Sequence, residues 1–469
     1  MSAPAPSIHL MENHDEAYHV WRRAGVRDRI LVHIDAHHDM WWMKDPGHLS
    51  IANFVCPALT DGIVREVFWV VPDRSVATTA NRADLERHVT EIVAGYPGKP
   101  TALRFTGAGI RTAVLGRPLT VCTLDALPPM AEPVLFDIDA DYLVIPKVTY
   151  GRPGARPALP WRWPADLVSR MRKRGLVADV ATIAYSVDGG YTPIGWKYLG
   201  DELAHRLRSP ECSGGAAADE TLRAYALMKA GAIAQQRGAD TSAEAAFLGA
   251  GDRIGAAPYF RLAYVLARQG RIAEARQAHA RAIEMDPSYR KAFATPGIPL
   301  YCAGRYAAAE RAFGQALQLD PSDVSALVGL AWIAARHRQW EAAAQHARAA
   351  LATDCGLIDA HRTLAEALDR TGQFADAIVA YEQSLKLALR GHRPFNGVVA
   401  TNPEQERPVD ADHARTHARL ARLYERVGQT ARAIAGYRIA AAGGYHDATL
   451  QSRLERLQAA GPHASSHHS

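Results

Sequence analysis

Arg29-Ile30-Leu31-Val32-His33-Ile34-Asp35-Ala36-His37-His38-Asp39 is the stretch on which the fold turns. Ile30 to Ile34 are mostly apolar and β-branched or aliphatic, the pattern of a buried strand. The strand runs directly into Asp35, His37, His38 and Asp39, all side chains that ligate metals. Burying so many carboxylates and imidazoles at the end of a core strand is costly without a partner. A divalent cation is the simplest one. The bland alternative is a polar loop that happens to hold Asp and His. A second stretch weakens it: Glu132-Pro133-Val134-Leu135-Phe136-Asp137-Ile138-Asp139-Ala140-Asp141 again ends an apolar run in acids. Positions two apart in an extended chain point the same way, so Asp137, Asp139 and Asp141 can converge. Two strand ends carrying oxygen and imidazole ligands are what a two-metal site requires.

Working outward, a short apolar run ends near Met11, and Asn13 or Asp15 is placed to cap a helix running to about Arg23. His14 then falls at the strand-to-helix turn. Further strands are expected at Arg65–Val71, Pro118–Leu124, Val134–Asp139 and Val180–Tyr185, with a helix at Asp166–Arg174. Strands separated by helix-length segments predict a parallel α/β sheet. In such sheets, sites form at the carboxyl ends of strands, where both acid clusters lie. Trp41 and Trp42 either wall a pocket or pack a core edge. Ser186-Val187-Asp188-Gly189-Gly190-Tyr191-Thr192-Pro193 follows the last strand, and its paired glycines allow a tight turn near a ligand.

A small, polar stretch from Ser209 to Asp219 marks the best domain boundary. Beyond it strand signals vanish and the chain becomes periodic. Asp286-Pro287 and Asp320-Pro321 are 34 residues apart. Gly270, Gly304 and Gly372 share one phase, completed by Arg338 and Gly428; Ala275, Ala309, Ala343, Ala377 and Ala433 mark a close helix contact. This period resembles the tetratricopeptide repeat. The expected organisation is a first domain over residues 1–208 and a linker with a degenerate helical repeat over 209–253. Repeats follow over 254–445, broken by an insertion at about 390–411, then a C-terminal helix and tail over 446–469. Pro296 and Pro299 should shorten or kink one helix. Stacked helix pairs form a superhelix with a concave face for peptides or proteins, or pack on the first domain.

Composition excludes several classes. A 48% hydrophobic and 22% charged chain of 469 residues is an ordinary multi-domain globular protein. The net charge of +5 is diffuse, without a clustered Lys/Arg tract, so nucleic acid is not an expected partner. Nor is a membrane: no long apolar run and no signal-like N-terminus is present. Five scattered cysteines without a CxxC pair fit a reducing, cytoplasmic setting.

Taken together, His14, Asp35-Ala36-His37-His38-Asp39 and Asp137-Ile138-Asp139 resemble the metal signature of the arginase and agmatinase (ureohydrolase) superfamily. The resemblance covers roughly residues 7–205 and is closest to a short arginase-like branch. Some members of that branch convert arginine to ornithine in ribosomally made peptides during natural-product maturation. It implies an arginase-like three-layer α/β domain ahead of an all-α repeat superhelix. It implies two Mn²⁺ per chain, one held by His14, Asp35, Asp39 and Asp137, the other by Asp35, His37, Asp137 and Asp139, with Asp35 and Asp137 bridging. Two cations sharing a water lower its pKa towards neutrality, and the nucleophile so formed attacks a guanidinium carbon. His48 or His38 is the candidate proton shuttle. Free-arginine enzymes carry an Asn that reads the α-carboxylate, where this chain has Trp41, and a guanidinium-gripping Glu whose slot falls near Gly195. Asp188 or Asp141 is the candidate substitute. The missing carboxylate reader and the attached repeats both favour a peptide-embedded arginine. Two alternatives are a single-zinc deacetylase-like site on Asp35, His37 and Asp137, and a repeat scaffold with a relic metal domain.

Overall fold

The computed structural model describes residues 6–42, 49–97, 101–106, 109–148, 158–187, 191–208, 219–291, 297–389, 407–445, 447 and 449–459. Eight strands form one sheet: β1 (Ser7–Met11), β2 (Arg29–Ile34), β3 (Val64–Val70), β4 (Arg104–Thr106), β5 (Gly109–Val114), β6 (Arg117–Cys122), β7 (Val134–Asp139) and β8 (Ala178–Ala184). Their order is β1-β8-β7-β2-β3-β6-β5-β4. The six strands from β1 to β6 in that order run parallel. The parallel sheet expected from the sequence is corrected at one edge, where β4 and β5 pair antiparallel. The cause is a two-residue hairpin, Leu115-Gly116, whose φ values of 52° and 73° give the twist that joins β5 to β6. Leucine is an unusual first residue for such a turn, so its signal in the sequence is weak.

Helices α1 (Glu16–Arg23), α2 (Val55–Thr60), α3 (Thr79–Ala94), α4 (Pro164–Lys173) and α5 (Tyr198–Arg208) connect or follow the strands. Alternate strand residues serve the two faces. Leu31, Val67, Trp69, Leu119, Val121 and Leu135 pack with Trp21 of α1, Val55 of α2 and Val89 of α3. The intervening residues Val32, Ile34, Phe68, Ile138 and Ile183 are equally buried. On α5, Gly200 passes so close to Ile183 and Tyr185 that a Cβ there would collide with the Tyr185 ring. Burial on both faces explains why β2 and β7 read as nearly continuous apolar runs.

The remaining described residues are helical: α6 (Glu220–Gln236), α7 (Asp240–Ala250), α8 (Ala257–Arg268), α9 (Ile272–Met285), α10 (Gly297–Cys302), α11 (Tyr306–Leu319), α12 (Val324–Arg336), α13 (Trp340–Thr353), α14 (Ile358–Arg370), α15 (Phe374–Leu389), α16 (Arg407–Arg426), α17 (Thr430–Ala442) and α18 (Leu450–Ala459). Pro299 lies within the short α10, whereas Pro296 lies outside the described residues. The phase-marking alanines Ala275, Ala309, Ala343, Ala377 and Ala433 are all fully buried, letting the paired helices approach. The turn within each pair demands positive φ, which glycine supplies freely. Gly270, Gly304, Gly372 and Gly428 hold 73–79°, and Gly238 between α6 and α7 holds 75°. Arg338 occupies the same turn at 59°.

The chain divides into two compact units at Tyr289/Arg290. The first contains the sheet and the helical pairs α6–α7 and α8–α9. Tyr225 of α6 stacks on Tyr198 at 6.4 Å. Arg261 of α8 donates to the Gly195 carbonyl at 2.9 Å while its guanidinium lies 4.0 Å from the centre of Trp196. Lys197 reaches Asp286 at 2.7 Å. The second unit contains α10 to α18.

Candidate metal centre

The carboxyl ends of four neighbouring strands, β1, β8, β7 and β2, supply the site. The registers set its floor, pairing His33 with Asp137 across β2–β7 and Asp137 with Thr182 across β7–β8. Accordingly His33 Nδ1 sits 2.8 Å from Asp137 Oδ2, and the Thr182 hydroxyl donates to Asp137 Oδ1 at 2.6 Å. One layer further out the Ser186 hydroxyl donates to Asp139 Oδ2 at 2.6 Å. Two tight loops carry the outer acids. The His37 amide donates to Asp35 Oδ1 at 2.7 Å, and the Asp141 amide donates to Asp139 Oδ1 at 2.8 Å. These are side-chain-closed turns of the kind aspartate favours. Asp39 and Ser186 adopt φ of 50° and 52°, strained conformations for residues with a Cβ, and both border the cluster.

His14 follows β1, just ahead of α1. Neither Asn13 nor Asp15 caps that helix by side chain; instead Glu16 accepts from the Asn13 amide at 3.1 Å. The turn sends the His14 ring into the middle of the acids. Its Nδ1 lies 3.2 Å from Asp35, 3.0 Å from Asp39 and 3.3 Å from Asp139, and its Nε2 lies 2.9 Å from Asp137. Neither ring nitrogen makes a well-directed hydrogen bond, so these contacts are electrostatic. His37 Nδ1 lies 2.8 Å from Asp141 Oδ2 and 3.6 Å from Asp35 Oδ1. Asp35, Asp137 and Asp141 are wholly buried, and Asp39 and Asp139 nearly so.

Five buried carboxylates against three imidazoles leave negative charge in excess, and the pKa directions show the imbalance. Burial opposes ionisation throughout, but His14, His37 and His33 hold Asp35 well below the usual carboxylate range. Burial is likewise outweighed at Asp137, where His14 and His33 bring the pKa down to about 2. Two of the acids go the other way. Burial and the Asp35 charge push Asp39 up to about 6, and burial with Asp139 and Asp35 pushes Asp141 well above its ordinary value. Although burial disfavours their charge, His14 and His37 are raised well above 6.5 by Asp137 and Asp141 respectively.

The residues fit divalent cations. Four groups of three ligands each have their donor atoms within 4.8 Å of one another: His14, His33 and Asp137; His14, Asp35 and Asp139; His33, Asp35 and Asp39; and Asp35, His37 and Asp141. Asp35 belongs to three of them, the place a bridging ligand would hold. Orphaned buried atoms point the same way, since Asp35 Oδ2, His33 Nε2, His37 Nε2 and both Asp141 oxygens make no hydrogen bond. An oxygen-rich donor set with a few imidazoles suits Mn²⁺ better than Zn²⁺.

All six ligands expected from the sequence, His14, Asp35, His37, Asp39, Asp137 and Asp139, are brought into the one cluster. His33 escapes the sequence reading because it sits inside the apolar strand, yet it stands two residues before Asp35 and so shares its face. Asp141 lies beside His37. The shuttle candidate His38 is not brought to the ligands. Its Nδ1 accepts from the Met40 amide at 2.9 Å, and its ring lies in an aromatic box of Trp41 at 4.6 Å, Trp69 at 5.8 Å and His88 at 5.1 Å. Burial and the neighbouring imidazoles of His88, His37 and His33 hold His38 well below 6.5, and hence neutral. Trp41 thus packs an edge of the core. His48 and Asp188 lie outside the described residues.

The tetratricopeptide-repeat family model matches residues 256–289, the α8–α9 pair with its flanking turns. No curated protein matches the chain. Among solved structures, MamA 41-end from Desulfovibrio magneticus RS-1 is 18% identical, covering 44% of this chain and 97% of that chain at a TM-score of 0.24. YrrB, described as a TPR protein with an unusual peptide-binding site, is 16% identical, covering 43% of this chain and 92% of that chain at a TM-score of 0.27. TTC0263, a thermophilic TPR protein of Thermus thermophilus, is 18% identical, covering 44% of this chain and 99% of that chain at a TM-score of 0.26. The family match and the recurring helical pairs make the C-terminal part a tetratricopeptide-repeat region.

Proposed function

We propose that this chain is a dinuclear manganese hydrolase of the arginase-like type. It acts on arginine side chains within a peptide, leaving ornithine and releasing urea, and the repeats hold the rest of the peptide. One observation carries the reading. Eight acidic and imidazole side chains from three strand ends meet in a buried cluster whose charges do not balance without cations.

His14, His33, Asp35, Asp39, Asp137 and Asp139 would hold one side of the centre, and Asp35, His37 and Asp141 the other. When bound, the cations supply Lewis acidity and lower the pKa of water towards neutrality. The chain's own residues do the rest. Thr182 and Ser186 fix the orientation of Asp137 and Asp139 through their hydroxyls. Trp69 Nε1 donates to the Asp35 carbonyl at 3.1 Å and holds the loop that bears His37. In the reaction water adds to the guanidinium carbon, the bond from that carbon to Nε breaks, and Nε leaves as an amine after taking a proton. His48 is the proposed proton donor and Asp188 the proposed guanidinium partner, both from sequence position.

The test is mass spectrometry of arginine-containing peptides, including those encoded beside this chain in its genome, after incubation with manganese-loaded protein. Loss of CH2N2 per site with matching urea release is expected. Protein carrying two Mn²⁺ per chain that never produces this loss would overturn the proposal. A single Zn²⁺ per chain would support the deacetylase-like alternative.

A further inference from the structure

Arginines scattered along the sequence collect in the second unit. A concave groove of about 790 Å³ is lined by Arg336, Arg338, Arg370, Arg415 and Arg419, with Trp332, Trp340 and one carboxylate, Glu366. It continues into a neighbouring hollow of about 360 Å³ that adds Arg422 and Asp369. Arg419 is paired with Glu366 and Arg422 with Asp447, whereas Arg336, Arg338 and Arg370 line the groove with no carboxylate partner among the described residues. Glu366 accepts from Arg419 at 2.8 Å, and Asp369 from Arg426 at 3.1 Å.

Ordinary helix chemistry accounts for part of this. Arg336 and Arg370 end α12 and α14, where a cation complements the helix dipole. It does not account for the rest. Arg415 and Arg419 lie inside α16 and four residues apart, a like-charge spacing that destabilises a helix. Arg338 is stronger still. It takes φ of 59° at a turn where four other repeats place glycine. A left-handed conformation is disfavoured for a residue with a Cβ. The strain is kept where the side chain lines the groove.

We propose that this groove binds an extended acidic peptide segment, with Arg338 and Arg370 as its main carboxylate anchors. The inference rests on the reading that the repeats hold a peptide, and it names that peptide's chemistry. Guanidinium forks pair carboxylates through two parallel hydrogen bonds. Trp332 and Trp340 supply apolar surface for the side chains between the acids, and Arg370 already lies 5.4 Å from the centre of the Trp340 ring. The volume suits a few residues at a time. A concave face built from stacked helical repeats favours a peptide over nucleic acid.

The experiment is fluorescence anisotropy on the full chain, stripped of metal by chelation so that the result is independent of any chemistry at the metal centre. Probes are a labelled Asp/Glu-rich twelve-residue peptide containing aromatic residues, its Lys-substituted counterpart and a single-stranded RNA of equal length. Expected are binding of the acidic peptide alone, weakening with salt, and roughly a fivefold or greater loss for each of Arg338→Gly and Arg370→Gln. Arg338→Gly should also raise the melting temperature, so its binding loss cannot be misfolding. Equal binding of the Lys peptide, preference for RNA, or unchanged affinity in both variants would overturn the proposal.

Discussion

Asp39 offers the sharpest test of the metal centre, because replacing it should move stability in opposite directions with and without cations. Its carboxyl is pushed up to about 6 by burial and by Asp35. A folded pKa above the unfolded value contributes stability present below about pH 4 and lost as pH rises through 6. At pH 7.5 the metal-free fold therefore carries a penalty on the order of 3 kcal/mol for ionised Asp39. Asp39→Asn removes that penalty, and asparagine also tolerates the left-handed backbone at this position better than most residues. The chelated variant should melt higher than the chelated parent, by roughly 5 °C at about 2 °C per kcal/mol for a unit of this size. Manganese should reverse the order. A cation at a hundred times its Kd adds about 2.7 kcal/mol, so two sites raise the parent by about 10 °C, and the variant, short of a ligand, gains less. The assay is thermal unfolding followed by emission of the fully buried Trp21 and Trp69, with and without chelator. If manganese leaves the parent unmoved, or Asp39→Asn melts lower when chelated yet keeps the whole manganese shift, the charge-imbalance reasoning fails.

Two further predictions concern the groups around the centre. Thr182→Val and Ser186→Ala delete hydroxyls that orient Asp137 and Asp139; each should weaken manganese affinity about 10- to 100-fold by isothermal titration while far-ultraviolet circular dichroism stays unchanged. His88, buried behind His38, is pulled down to about 4 by burial and by His37. A depressed histidine keeps its stability above about pH 6.5 and loses it as pH falls through 4. His88→Phe should therefore flatten the acid limb of a stability profile between those values, by on the order of 3 kcal/mol. A limb of unchanged steepness would show that the ring is not neutral in the fold.

Much of the N-terminal core is legible because parallel strands buried on both faces read as apolar runs, and because Asp35 and Asp137 end two of them. His14 is harder, as a lone histidine at a turn acquires meaning only beside the other clusters. His33 hides inside its strand, although alternation places it with Asp35. The antiparallel edge escapes notice because Leu115-Gly116 lacks the Asn or Asp that usually marks its turn. The repeats announce themselves through period, but the arginine groove does not. Arg336 and Arg370 share a phase, whereas Arg415 and Arg419 belong to a helix beyond the insertion, and only the stacking of helices brings them together. For the same reason an evenly spread charge along the chain hints at no binding surface.

The sheet's compact unit does not stop at the polar stretch after α5. It runs on through two helical pairs, tied by Tyr225, Arg261 and Asp286 to residues of the sheet half. Shuffling repeats between relatives, in evolution or at the bench, would have to leave those first pairs in place. The second compact unit begins only after Tyr289, so exchanging repeats there would leave the ties to the sheet half unbroken.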